Sequence, residues 1–243
     1  VAKFAVGAGL GILVNKLWGI NGLWGLSPLA VIGAITNSNG GLYAALSGNY
    51  GDSTDVGAVS ILSINDGPFL TMVAMGVSGI ATIPFMVLVG CVAPIVVGLI
   101  LGNLDEDIRK FTEPGATMLI PFFAFPLGAG LNFSQLITAG LSGILLGVIC
   151  CLSTGLVGYL CMRLIRSKHP ECGAAIGTTA GNAAGTPAAL AEADPTLSPL
   201  ATVATAQMAA SCIVTAILCP FLVNYISKME KKRLAKQAAK QSA

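Results

Sequence analysis

Along this chain of 243 residues, long apolar stretches alternate with short interruptions of Gly, Pro, Asn and charged residues. A helix needs about 20 apolar residues to cross the hydrocarbon core of a bilayer. At that length the pattern predicts eight spans, at residues 1–18, 28–46, 56–79, 84–104, 117–131, 135–165, 172–193 and 199–226. Residues 85–101 are apolar without a break and lack the alternation of a transmembrane β-barrel strand. The predicted fold is therefore an all-α multi-span membrane protein. The fifth span is short and carries Pro121 and Pro126. The joins are tight, and even 105–116 leaves no room for a second domain.

Composition agrees with the pattern. Hydrophobic residues make up 54% of the chain and charged residues 10%, against about 25% charged in a soluble domain. Mean hydropathy is +0.81. So few charges cannot coat a water-soluble fold, and disorder and collagen are excluded by the same figures. A net charge of +2 without a basic polar domain argues against nucleic acid as a partner. The lipid bilayer is the expected surrounding.

Most of the seven cysteines (91, 150, 151, 161, 172, 212 and 219) lie in apolar runs, where they act as small hydrophobes. No CxxC or CxxH spacing is present, so no metal is expected. The chain has no phosphate-binding GxxxxGK[ST] motif and no HExxH. The lone His169 falls in a loop, is expected to be solvated, and has no membrane Ser nearby for a hydrolase. No catalytic residue and no cofactor is expected; any coupling ion would be H⁺, with Na⁺ as the alternative.

Charge placement sets an orientation. If the tail with Lys228, Lys231, Lys232, Arg233, Lys236 and Lys240 is cytoplasmic, alternation also places Arg163, Arg166, Lys168, Arg109, Lys110 and Lys3 inside. Twelve of the 13 basic residues then share one face, as the positive-inside rule requires; only Lys16 falls outside. In this reading no Lys or Arg lies at mid-membrane.

Two spans are interrupted near their middles. The second reads AVIGAI, then Thr36, Asn37, Ser38, Asn39, Gly40 and Gly41, then LYAAL. The seventh reads GAAIG, then Thr178, Thr179, Ala180, Gly181, Asn182, Ala183, Ala184 and Gly185, then Thr186 and Pro187. Backbone that leaves the helix at membrane depth must be satisfied by protein or by a water-lined cavity. Thr186 before Pro187 reads as an N-cap with Pro at the first helical position, and Ser38 or Asn39 as the corresponding cap. Each break then aims the positive end of a half-helix at the membrane centre. The competing explanation, small residues for close helix packing, does not call for three Asn.

Residues 41–46 also align with 185–190, and the broken spans are five apart. An odd-numbered repeat inverts its second copy, the pattern of transporters with discontinuous helices at the binding site. A five-span repeat also implies ten spans in all, two of them before Val1. Asp66, in Asn65-Asp66-Gly67-Pro68 of the third span, is an intramembrane carboxylate and a candidate proton carrier; the alternatives are a turn or a structural acid. Glu192 is a second candidate, facing either the cavity or the outer interface. Gln207 is the rough repeat counterpart of Asp66, its other explanation being an interhelical hydrogen bond.

On these residues the chain resembles the 2-keto-3-deoxygluconate permease family. The matching stretches are NGGLYA at 39–44, Tyr50-Gly51, GPFLTM at 67–72, GNLD at 102–105, LIPFFAF at 119–125, and AGTP at 184–187 through Glu192. The resemblance implies uptake of 2-keto-3-deoxygluconate, a sugar acid, with protons across the bacterial inner membrane. It implies a fold similar to bile-acid sodium symporters, with a core domain holding two crossed broken helices and a panel domain. Mapped here, the core is 1–80 and 132–228, the panel part is 81–131, and 229–243 is a basic cytoplasmic tail. Substrate would sit between the breaks, read by Asn37, Ser38, Asn39, Gly40, Gly41, Thr178, Thr179, Asn182, Gly185 and Thr186, with helix N-termini supplying the positive potential. A sodium-coupled carboxylate symporter is the alternative.

Overall fold

The computed structural model describes residues 1–62, 67–118, 122, 125 and 133–241. The described residues are helical, apart from turns, extended joins and one isolated bridge between Leu23 and Leu26. The principal helices are α1 (Ala2–Trp18), α2 (Pro28–Thr36), α3 (Gly40–Tyr50), α4 (Ser53–Gly57), α5 (Val59–Leu62), α6 (Pro68–Val77), α7 (Phe85–Leu104), α8 (Glu106–Thr112), α9 (Gly115–Met118), α10 (Phe133–Leu164), α11 (Thr186–Ala193) and α12 (Ser198–Gln241). Three short 3₁₀ segments, Pro170–Ile176, Gly181–Gly185 and Pro195–Leu197, lie between α10 and α12.

Among the described residues, three helical stretches are long and apolar enough to cross a membrane: Phe85–Leu104, Gly140–Leu164 and Pro195–Gln237. α7 buries none of its 20 residues, and a helix that is apolar all round and unburied by protein needs lipid around it. α12 has 44 residues, or about 66 Å at 1.5 Å per residue, so it outruns a core of about 30 Å. The basic segment predicted as a separate tail continues this helix. Its one acid, Glu230, is buried between Tyr159, Arg163 and Arg233, so the start of the tail is docked on α10 rather than solvated.

The third predicted span is not one continuous helix. α4 and α5 are single-turn pieces, and α6 starts afresh at Pro68 after Gly67, whose φ of +122° favours glycine. The fifth predicted span falls mostly outside the described residues, as do Asn65 and Asp66.

α2 lies wholly inside the bundle, all nine of its residues buried. α1 lies against it through Gly7 and Gly11, where backbones come close: a Cβ on Gly7 would sit 2.7 Å from Thr36 Cγ2. Two apolar clusters form. One joins Leu29, Ile32 and Ile35 of α2 to Met72 and Met75 of α6, Met208 of α12, and Ala180, Ala183 and Leu190. The other joins Tyr43 and Leu46 of α3 to Ala174, Ala175, Cys151, Cys219, Val223 and Ile226. Residues before the first interruption thus pack with residues after the second, and residues after the first with residues before the second. The polar interruptions lie between the two clusters.

Candidate functional site

The site grows from two places where helix stops inside the bundle. The first is at residues 37–39. Thr36 closes α2 by donating from Oγ1 to Ile32 O at 2.7 Å, and its hydroxyl lies 2.9 Å from that of Thr71 on α6. Asn37 donates from Nδ2 to Gly33 O at 2.9 Å and to Thr71 Oγ1 at 3.2 Å, satisfying a carbonyl left open by the helix end. Asn39 is the N-cap of α3: its Oδ1 accepts from Leu42 N–H at 2.9 Å. Of the two expected caps, Asn39 is the one used.

The second interruption is longer and less regular. The segment before it is a 3₁₀ turn, Pro170–Ile176, rather than the expected α-helix. Residues 177–180 then leave the helix, a second 3₁₀ turn runs Gly181–Gly185, and α11 starts at Thr186. Thr186 is therefore the first helical residue and not the cap; its hydroxyl makes no capping bond, because Gly185 already occupies that position. The sequence signal found the helix start but placed both the cap and the first helical residue one position late.

The two interruptions meet. Asn39 N–H donates to Thr178 Oγ1 at 3.0 Å across 139 residues of chain. Around that contact the second interruption is held by its neighbours. Thr179 N–H donates to Thr215 Oγ1 at 2.9 Å, and its hydroxyl lies 2.7 Å from Ser211 Oγ, both on α12. Cys212 donates to Ala180 O, and Cys150 to Ala34 O.

Four buried side-chain oxygens here have no hydrogen-bond partner among the described residues: Asn37 Oδ1, Ser38 Oγ, Asn182 Oδ1 and Thr186 Oγ1. Each costs about 1–3 kcal/mol if left unsatisfied, and all four belong to the two interruptions. Of the other expected site residues, Asn39, Gly40 and Gly185 are half-buried, Gly41 is exposed, and Thr178 and Thr179 are buried. Glu192 is exposed on the last turn of α11. Gln207 is buried and donates to Gly25 O at 2.8 Å and Ser142 Oγ at 2.9 Å, an interhelical tie.

One residue at the site was assigned elsewhere from sequence. Lys3 is 3% exposed, and its Nζ donates to Ile176 O at 2.7 Å and to Thr178 O. It sits against the second interruption, so a basic residue lies beside the site that the reading from span ends did not connect to it. Charge counting treats any Lys near a span end as a boundary marker. The signal that finds Lys3 is its spacing: Lys3, Gly7 and Gly11 are the buried residues of α1, and four-residue steps put them on one helix face.

Away from the crossing, Asp52, Asp55 and His169 present ligand atoms within 4.8 Å of one another. Asp52 and Asp55 form a capping box on α4, with Asp52 Oδ1 accepting from Thr54 and Asp55 N–H and Asp55 Oδ2 from Asp52 N–H. The Asp55 backbone N–H holds the Asp52 carboxyl below its ordinary range. That helix-starting role accounts for both acids.

Comparison with known proteins places the chain. The family model described as 2-keto-3-deoxygluconate permease matches residues 1–232. The chain is 50% identical to 2-keto-3-deoxygluconate permease 1 of Salmonella typhimurium over 233 residues, 96% of this chain and 73% of that protein. It is 41% identical to the 2-keto-3-deoxygluconate permease of Bacillus subtilis over 209 residues, 86% of this chain and 63% of that protein. Against the protein of the same name from Xanthomonas oryzae, identity is 40% over 212 residues, 87% of this chain and 67% of that protein. No solved structure matches. With a match that runs through both interruptions and the helices that hold them, the chain belongs to the 2-keto-3-deoxygluconate permease family, a family of membrane transporters rather than enzymes.

Proposed function

We propose that the protein is a secondary transporter that carries 2-keto-3-deoxygluconate into the bacterial cell with protons, by alternating access around the two crossed interruptions. The observation that carries this reading is their meeting at Asn39 and Thr178 beside four unpartnered oxygens. A sugar acid brings hydroxyl donors that those oxygens accept, and one carboxylate that suits half-helix N-termini. The cross-pairing of the apolar clusters around the breaks supports inverted five-span repeats. In this reading the intact transporter has ten spans, 1–80 and 132–228 form the core, 81–131 belongs to the panel, and the C-terminus is cytoplasmic. Asp66 carries the proton in preference to Glu192, whose side chain is exposed on the last turn of α11 and away from the crossing contact.

Uptake of labelled 2-keto-3-deoxygluconate into proteoliposomes tests this. An inward proton gradient should drive accumulation, and Asp66→Asn should abolish accumulation while leaving substrate exchange. Accumulation driven by Na⁺ alone would favour the sodium-coupled alternative; no exchange under any gradient would remove the transport reading.

A further inference from the structure

Lys3 has the geometry of a bound cation. Its ammonium is buried and donates to two backbone carbonyls, Ile176 O and Thr178 O, that the irregular chain of the second interruption leaves free of regular helix bonding. Unwound carbonyls at broken helices are the ligands that hold coupling cations in transporters of this architecture. Thr178 ties the same spot to the first interruption, because its hydroxyl accepts from Asn39 N–H at 3.0 Å. One charge therefore bears on both breaks. α1 is held in place by the close approach of Gly7 and Gly11 to Thr36 and Ile32 of α2, so the ammonium arrives on a fixed stem. The groups within its electrostatic reach include the thiols of Cys151 on α10 and Cys212 and Cys219 on α12.

We propose that Lys3 is a tethered monovalent cation, its ammonium occupying the position on the broken-helix carbonyls that a free coupling Na⁺ would take, so that the crossing assembles without Na⁺. This deepens the transport reading and rests on it for its consequence in transport, though not for the cation site itself.

The test begins without substrate. Thermal unfolding of the purified protein is followed in choline, Na⁺ and propylammonium buffers for wild type, Lys3→Ala and Lys3→Met. Wild-type Tm should be the same in all three. Lys3→Ala opens the site, so its Tm should fall in choline and recover by roughly 2–4 °C or more in Na⁺ or propylammonium. Lys3→Met fills the space with an uncharged stem and should stay depressed in every buffer. In proteoliposomes, substrate counterflow by Lys3→Ala should show about tenfold weaker apparent affinity in choline and should be restored by either cation; the wild type should not respond.

A purely structural lysine would give variants with no cation response. The proposal is overturned if Na⁺ raises the wild-type Tm, if Lys3→Met matches wild type in choline, or if Lys3→Ala responds to neither cation or fails to fold in all of them. The Tm pattern without counterflow in the wild type would support the cation site and sink the transport reading.

Discussion

The two interruptions do the same thing by different means. The first is three residues between two α-helices and is satisfied largely from its own chain: Thr36 and Asn37 bond back into α2, and Asn39 caps α3. The second has 3₁₀ turns on both sides and no side-chain cap of its own. Its backbone is held from outside, by Lys3 on α1 and by Thr215 and Cys212 on α12. A self-capped break keeps its shape when its neighbours move. A break held by neighbours depends on them for its shape, so the second is the side of the crossing that is sensitive to changes in α1 and α12.

The largest effect that sharpens this contrast is on the second side. Gly173 and Gly158 bring the chain before the second break against the α10 backbone, with no space for a Cβ. Gly173→Ala forces the two apart and should cost about 1–3 kcal/mol, read as a lower Tm in detergent. Gly41→Ala, at an exposed position with only the Asn39 amide oxygen nearby, should leave Tm nearly unchanged. Equal effects would mean that the second side is not the more tightly held.

Thr186→Val separates stability from binding. Its hydroxyl is buried without a partner among the described residues, so removing it should leave the substrate-free protein as stable or more stable. If the hydroxyl reads the substrate carboxylate, affinity should fall about 10- to 150-fold, the 1.5–3 kcal/mol of a charged hydrogen bond. Calorimetric titration alongside thermal unfolding checks both signs; loss of stability with unchanged affinity would assign Thr186 to the fold. On the first side the cap predicts a smaller change in the other quantity. Asn39→Ala removes the bond to Leu42 N–H and should cost about 1 kcal/mol of stability, while Asn39→Asp keeps an acceptor and should cost less.

The contrast also explains what the sequence made legible. Thr, Asn and Gly inside apolar runs mark both breaks, because such residues have no cheaper place at membrane depth. Asn39 as a cap follows from local chemistry and was readable. The inner structure of the second break was not: whether Gly173 to Gly185 winds as α or 3₁₀ is decided by α10 and α12 pressing on it, which no local propensity encodes. Thr186 missed the cap position by one residue for that reason. Lys3 was hidden by its proximity to a span end, although four-residue steps put it on one helix face with Gly7 and Gly11, the face the structure buries. α6 begins at Pro68 as X-Pro chemistry suggests, yet the hydropathy run through 56–79 merges it with α5 and the end of α4.

The smallest effect concerns the far end of the second half-helix, where α11 passes to α12. Asp194 clasps three groups: its Oδ2 accepts from Thr82 N–H at 2.6 Å, and its Oδ1 accepts from Thr196 Oγ1 at 2.6 Å and Thr196 N–H at 3.0 Å. The Thr196 hydroxyl first, then the Thr82 amide, hold its carboxyl below the ordinary carboxylate range. A depressed folded-state value means the clasp stabilises fully above the unfolded value of about 3.9 and is lost as pH falls through the lower folded value. Asp194→Asn should therefore lower Tm at neutral pH, and the gap to wild type should close as the pH falls below about 4. Because Thr82 lies in the join before α7, the clasp ties the second half-helix to the entry of that span. A gap that persists unchanged in acid would show that the amide side chain disrupts the join for reasons other than the lost carboxylate.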